Sequence, residues 1–230
     1  MLPRSAREST RARRVEIMRG NVGLAFVAAL SVLAGMTDAI GFLETGNFVS
    51  FMSGNTTHLA VATGKQLWTS VFDIALWILA FIAGNIIGVI LGRLAKRQAW
   101  PLLFYIGLLL AFTAAWGENR SAFLMAVVAM GLINSVVEEV NGLPIGLTYV
   151  TGALSRFGRG LGRWLMGERR AGWRVQLVPW SGMIAGGATG AWLQHKFGVT
   201  AMAFASAFAL ALAGVSVYIP RRWQLKYMPK

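Results

Sequence analysis

One carboxylate stands inside otherwise apolar chain: Asp38, in the run Gly35-Met36-Thr37-Asp38-Ala39-Ile40. About 28 Å along a helix from Arg19, it falls near the outer face, where an ionisable group is either an interfacial residue or a proton or cation site. A second polar island follows at Ser53-Gly54-Asn55-Thr56, between apolar stretches. Gly54 relaxes helix regularity, whereas Asn55 and Thr56 favour helix starts. A helix beginning there would aim free N–H groups and a positive dipole end into the protein, which suits an anion or a carbonyl oxygen. The second half of the chain carries related residues: Thr151-Gly152 repeats the hydroxyl–glycine pair, Asn134 takes the place of Asp38, and Glu138 shares a helical face with Asn134. The candidate substrate- or ion-binding residues are therefore Asp38, Ser53, Gly54, Asn55, Thr56, Asn134, Glu138, Thr151 and Gly152. The competing explanation is that these hydroxyls and amides only cap and cross-link helices.

The elements that must hold them are membrane helices. Of 230 residues, 56% are hydrophobic and 13% charged, and mean hydropathy is +0.57. A soluble domain carries about a quarter charged residues. Charge-poor blocks occupy 22–37, 74–92, 101–117, 121–137, 175–194 and 199–219. About 20 apolar residues cross roughly 30 Å of hydrocarbon, so each block predicts a span. The fold class is all-α, a polytopic membrane helix bundle. The first apolar run is too long for the core of a cleaved signal and predicts an uncleaved span.

The net charge of +13 points to membrane orientation, not to nucleic acid. Basic residues gather at 4–19, 93–97, 156–174 and 221–230, between the apolar blocks. Basic loops retained on one side orient a membrane protein, which predicts that both termini are cytoplasmic. Anionic lipid is the expected partner of those loops, and nucleic acid is not expected. Cysteine is absent and no His or carboxylate cluster has ligand spacing, so neither metal nor cofactor is expected. An intramembrane serine protease would need a base near Ser53. His58 lies roughly 140° round a helix from it, and Phe51 stands where such enzymes carry glycine. No enzyme is expected.

Laid on itself at an offset of 98 residues, the chain matches Ser53-Gly54 to Thr151-Gly152, and Gly84, Gly88 and Gly92 to Gly182, Gly186 and Gly190. At an offset of 96, Gly35 and Asp38 fall on Gly131 and Asn134. These matches predict an internal two-fold repeat, with membrane repeats over 22–116 and 119–219 and basic tails at 1–21 and 220–230. Glycines spaced by four lie near one helix face and predict close helix–helix contact. Segment 146–162 has about ten apolar residues before Arg156 and Arg159, short for a crossing. Six full spans plus two broken or re-entrant segments, at 46–64 and 146–162, are expected; eight spans are the alternative. Three crossings per copy would invert one repeat on the other, a recurring transporter plan.

The runs "GMTDAIGFLETGNFVSFMSGNTTHLAVA" and "LINSVVEEVNGLPIGLTYVTGALSRFGRGL" closely resemble the YoaK family of polytopic bacterial inner-membrane proteins, catalogued as a domain of unknown function. The resemblance covers about residues 20 to 220. A common family form has M-T-G-N or Q-T-G-N where this chain has Met52-Ser53-Gly54-Asn55, so the hydroxyl is kept. The resemblance implies a multi-pass protein of the inner membrane and supplies no substrate. The functional expectation rests on the residues: a small-molecule or ion transporter with a polar site between two repeats. The alternative is a non-transporting scaffold or partner subunit.

Overall fold

Apolar sequence destined for lipid has one economical way to satisfy its backbone, which is to bond it within helices. The computed structural model describes residues 4–117, 119–140, 143–144, 147, 150–169 and 172–228. Its helices are α1 (Arg4–Thr45), α2 (Met52–Gly64), α3 (Trp68–Leu94), α4 (Ala99–Trp116), α5 (Phe123–Ile133), α6 (Val150–Leu165), α7 (Leu177–Phe197), α8 (Met202–Val217) and the short α9 (Arg221–Gln224). A two-residue antiparallel pair, β1 (Glu139–Val140) with β2 (Leu143–Pro144), lies between α5 and α6. Among the described residues, four stretches are long and apolar enough to cross a membrane: Val15–Thr45, Trp68–Leu94, Ala99–Trp116 and Trp173–Val217, the last containing both α7 and α8. Helix α5 is apolar but shorter.

Helix α1 runs for 42 residues, about 60 Å, so it outreaches the hydrocarbon layer. The basic segment expected as a tail is helical from Arg4 onward and continuous with the first span. Helix α2 starts at Met52, not at Asn55 or Thr56 as expected, which leaves those two residues inside its first turns.

Glycines decide which helices meet. A Cβ added at Gly182, Gly186 or Gly190 of α7 would overlap Ala28, Val32 or Met36 of α1, and one at Gly35 would overlap Met183. The residue numbers rise together, so α1 and α7 run parallel. Gly84 and Gly88 of α3 lie in the same way against Val128 and Leu132 of α5, with Ser135 just past its end, again in parallel. Helices α4 and α8 are antiparallel: Gly107 packs on Leu210 and Gly117 on Val199, while Ser206 Oγ donates to the Gly107 carbonyl at 2.7 Å. With no Cβ in the way, the backbones approach closely enough for dispersion to hold them without a hydrophobic driving force.

The core gathers Leu30, Leu33 and Ile40 of α1, Leu102, Leu103, Ile106 and Leu110 of α4, and Phe123, Met130 and Ile133 of α5, all fully buried. The outer face of α3 does the opposite: Phe72, Leu79, Ile86, Ile90 and Leu94 are exposed. A contiguous apolar flank of this kind belongs in lipid.

Named contacts tie helix ends together at both ends of the bundle. At one end, the basic face, Tyr227 Oη donates to the Arg19 carbonyl at 2.6 Å, and the Glu138 N–H donates to the Tyr227 carbonyl at 2.7 Å. On the same face Gln224 accepts from the Ala99 N–H at 2.8 Å and donates to the Ser216 and Ile219 carbonyls. The starts of α1 and α4 and the ends of α5 and α8 therefore share that face. At the opposite face Gln194 donates to Glu44 at 3.1 Å, and Gly117 meets Val199.

Candidate functional site

Asp38 lies on α1 two turns before the helix ends. At that end Thr45 Oγ1 donates to the Gly41 carbonyl at 2.8 Å and accepts the Asn47 N–H at 3.2 Å. Gly46, at φ +76°, turns the chain back, a conformation that side-chain-bearing residues avoid. The returning segment runs beside α1, and Val49 packs so closely on Gly41 that a Cβ there would overlap it. Ser50 then reaches Asp38. Its N–H donates to one carboxylate oxygen at 2.6 Å and its hydroxyl to the other at 2.5 Å. The N–H groups of Val49 and Phe51 also approach the carboxylate.

This arrangement has a plain physical cause. Chain between α1 and α2 is not helical, so its N–H groups lack helical acceptors, and lipid offers none. A carboxylate accepts several such bonds at once and holds the returning strand. Asp38 is 5% exposed, and no described Lys or Arg forms an ion pair with it. Among the described residues, hydrogen-bond donors and not basic side chains hold the carboxylate. Beside it, the Thr37 hydroxyl lies 2.9 Å from the Ala34 carbonyl and 3.0 Å from Met130 Sδ, which joins α1 to α5.

The first polar island divides in two. Asn55 is fully buried; it accepts the Phe48 N–H at 3.0 Å and donates to the Phe48 carbonyl at 2.7 Å. Its amide is spent on clamping the turn. Gly54 lies under the rings of Phe51 and Phe48, with room for no Cβ. Ser53 and Thr56 face outward, and the Thr56 hydroxyl donates back to the Met52 carbonyl at 2.8 Å. A helix N-terminus aimed inward from Asn55 is not formed, because the helix has already begun three residues earlier.

In the second half, Asn134 caps α5 and its amide approaches the Met130 carbonyl at 3.4 Å. Glu138 is exposed beyond that helix. Thr151 is exposed in the first turn of α6, and Gly152 sits beside the Arg156 guanidinium. Residues Thr148 and Tyr149, from the second motif, lie outside the described residues. The two hydroxyl–glycine segments do not face one another across a shared chamber. Helix α2 follows the end of α1 opposite the basic face, whereas α6 lies between the end of α5 on the basic face and α7, which starts there in parallel with α1.

Two cavities flank the α3–α5 contact. One, of about 140 Å³, is lined by Thr45, Asn47, Asp73, Trp77 and Ser121 at the face opposite the basic one. The other, of about 30 Å³, is lined by Gly88, Gly92, Arg93, Arg97, Ser135 and Met228 at the basic face. Sequence reasoning missed Ser50, Asp73, Ser121 and Ser135. Asp73 sits at the edge of the apolar block starting at 74, a position where solvated carboxylates are ordinary. Among the described residues no group of three His, Cys, Asp or Glu side chains could hold a metal ion.

Comparison with known proteins places this architecture. The family described as "Protein of unknown function (DUF1275)" matches residues 26–215, a span that holds Asp38 and both hydroxyl–glycine segments. The chain belongs to this family. It is 47% identical over 218 residues to the UPF0700 transmembrane protein RA0705 of Rhizobium meliloti (strain 1021), covering 95% of this chain and 96% of that one. It is 26% identical over 141 residues to the UPF0700 transmembrane protein YoaK of Bacillus subtilis (strain 168), covering 56% and 63% of the two chains. No solved structure matches. As a member of the family, the protein is a multi-pass integral membrane protein.

Proposed function

We propose that the protein is a transporter of a small polar solute or ion, built from two inverted repeats that together cross the membrane six times. The observation that carries the reading is Asp38, a carboxylate buried in a membrane helix and met only by hydrogen bonds from a broken stretch of chain. A carboxylate so placed offers a seat for a proton or a cation when its surroundings change.

Helix directions support the inverted plan. Helix α3 runs to the basic face and α1 runs away from it, so α2 joins two ends on one side and need not cross. Helix α6 does the same between α5 and α7 on the other side. At the offsets of 96 and 98 residues, α1 corresponds to α5, α3 to α7 and α4 to α8. The α1–α7 and α5–α3 contacts are then the same contact made twice, displaced by one helical turn, and α4–α8 pairs equivalent helices. In this reading the basic face is cytoplasmic, as segregated Lys and Arg favour.

The test is flux in proteoliposomes. A panel of solutes is offered under an imposed proton or cation gradient, with wild type beside Asp38→Asn, which keeps the carbonyl that accepts the Ser50 N–H. Gradient-driven uptake of one solute class that is lost in a folded Asp38→Asn variant supports the proposal. Equal uptake by the variant, or none of any solute by wild type, defeats it. A scaffold or partner-subunit reading has one observation in its favour: the cavities of about 140 and 30 Å³ are small, and Gly84 closes on Val128 between them. That reading expects no flux and a stoichiometric partner on purification.

A further inference from the structure

We propose that the cavity at the basic face is a binding site for one small anion, held by Arg97 and Arg93 with the Ser135 hydroxyl. The site goes beyond the transport reading and stands without it. Its volume, about 30 Å³, is the share of a single water molecule or monatomic ion.

Arg97 makes the strongest argument. Its Nη2 donates to the Leu225 carbonyl at 3.0 Å and to the Met228 carbonyl at 2.7 Å, but its Nε is buried with no partner among the described residues. A guanidinium is always charged and presents its donors in a fixed plane, so an unmet Nε cannot be relieved by deprotonation or by a small rotation. A buried charged donor left without an acceptor is strongly unfavourable. The surroundings add positive charge: Arg93 lines the same cavity, and neither arginine has an ion-pair partner among the described residues.

The cavity is also shaped, not accidental. Gly88 leaves room for the Ser135 hydroxyl, because a Cβ there would stand 2.5 Å from its oxygen. A Cβ at Gly92 would find its nearest neighbours at 4.0 Å, the Leu102 and Met228 side chains, so open space continues past that residue. Lys96 and Arg97 adopt φ of 51° and 57°, left-handed backbone that residues with side chains rarely take. That turn, closed by the Arg97 N–H on the Gly92 carbonyl at 2.8 Å, brings Arg97 beneath the C-terminal segment. An anion at Nε would offset one of the two positive charges and steady the Nη2 bonds that hold residues 225–228 over the bundle.

Two sources supply this chemistry: a dissolved halide, or a phosphate oxygen of an anionic lipid at the membrane surface. The experiment separates them. Full-length protein is prepared in a halide-free gluconate buffer, either in neutral detergent with bromide added or in phosphatidylcholine vesicles with and without phosphatidylglycerol. Thermal midpoints are read for wild type, Arg93→Gln and Ser135→Val, neither of which bonds the C-terminal segment. A saturable rise with bromide, with apparent affinity about 10-fold or more weaker in both variants, identifies a halide site. A rise with phosphatidylglycerol alone, lost in both variants, identifies a lipid phosphate. No rise with either, or a rise of equal size in wild type and variants, means that water fills the cavity and overturns the proposal.

Discussion

Replacing Gly190 with alanine tests whether glycine seams set helix pairing in this bundle. The added Cβ would stand 2.5 Å from the Met36 carbonyl oxygen and 2.8 Å from its Cα. Both are backbone atoms of α1 and cannot swing aside, so the two helices must part by about 0.9 Å to restore ordinary contact at 3.4 Å. A radial gap of that size forfeits a quarter to a half of the dispersion energy of the atoms it separates. Overpacking of this kind costs about 1–3 kcal/mol. Alanine recovers about 0.8–1 kcal/mol of helix propensity, so the net loss runs up to about 2 kcal/mol. Gly214 of α8 supplies the control, since a Cβ there has nothing within 4 Å and the propensity gain stands alone. At about 2–4 °C per kcal/mol for a chain of this size, Gly190→Ala lowers the thermal midpoint by up to about 8 °C, while Gly214→Ala raises it by about 2–4 °C. Thermal scans of both variants in one lipid nanodisc preparation decide the matter. Midpoints within about 2 °C of each other would refute the reasoning.

Asp38→Leu strands the Ser50 N–H and hydroxyl in an apolar site and loses about 1–3 kcal/mol for each unmet group, whereas Asp38→Asn loses less; denaturant titration compares them. Asn55→Leu removes both bonds to Phe48, so amide exchange at residues 46–52 accelerates while that of α4 and α8 does not. Tyr227→Phe loses the bond to the Arg19 carbonyl, about 0.5–1.5 kcal/mol, read as faster proteolysis after residue 220. Burial also pushes the Tyr227 phenol above its ordinary value of 10.0. The docked segment therefore holds at full strength below that value. It weakens as pH rises further, because the undocked phenol ionises first. Trp223 fluorescence followed from about pH 9 to about pH 12 shows the release in wild type and none in Tyr227→Phe.

Hydropathy was enough to read most of the bundle, because helices in lipid must be long, apolar and self-bonded, and those demands are written residue by residue. The glycine spacing was equally plain, and Gly182, Gly186 and Gly190 do lie on one face against α1. Which helix they meet was not legible, since a glycine face carries no label for its partner. Ser50 escaped notice for a related reason: it reaches Asp38 only because Gly46 reverses the chain, and nothing local marks that return. Asn55 looked like a helix cap by type, yet its two bonds to Phe48 place it inside the helix as a clamp. The segment expected as a basic tail hides the buried pair Tyr227 and Met228, whose partners Arg19 and Arg97 lie far away in sequence.

The parallel contact between α1 and α7 has a consequence for biogenesis. The surface of α1 that carries Gly35 finds its cover only when Gly182–Gly190 has been synthesised, about 150 residues after Ala28. At about 5–20 residues per second, that leaves the first helix in the bilayer for roughly 8 to 30 s with an uncovered groove. During that interval something else must shelter it, whether lipid, the insertion machinery or the newly made α3. Chains stalled between residues 140 and 175 should accordingly be the ones most readily captured by membrane quality control.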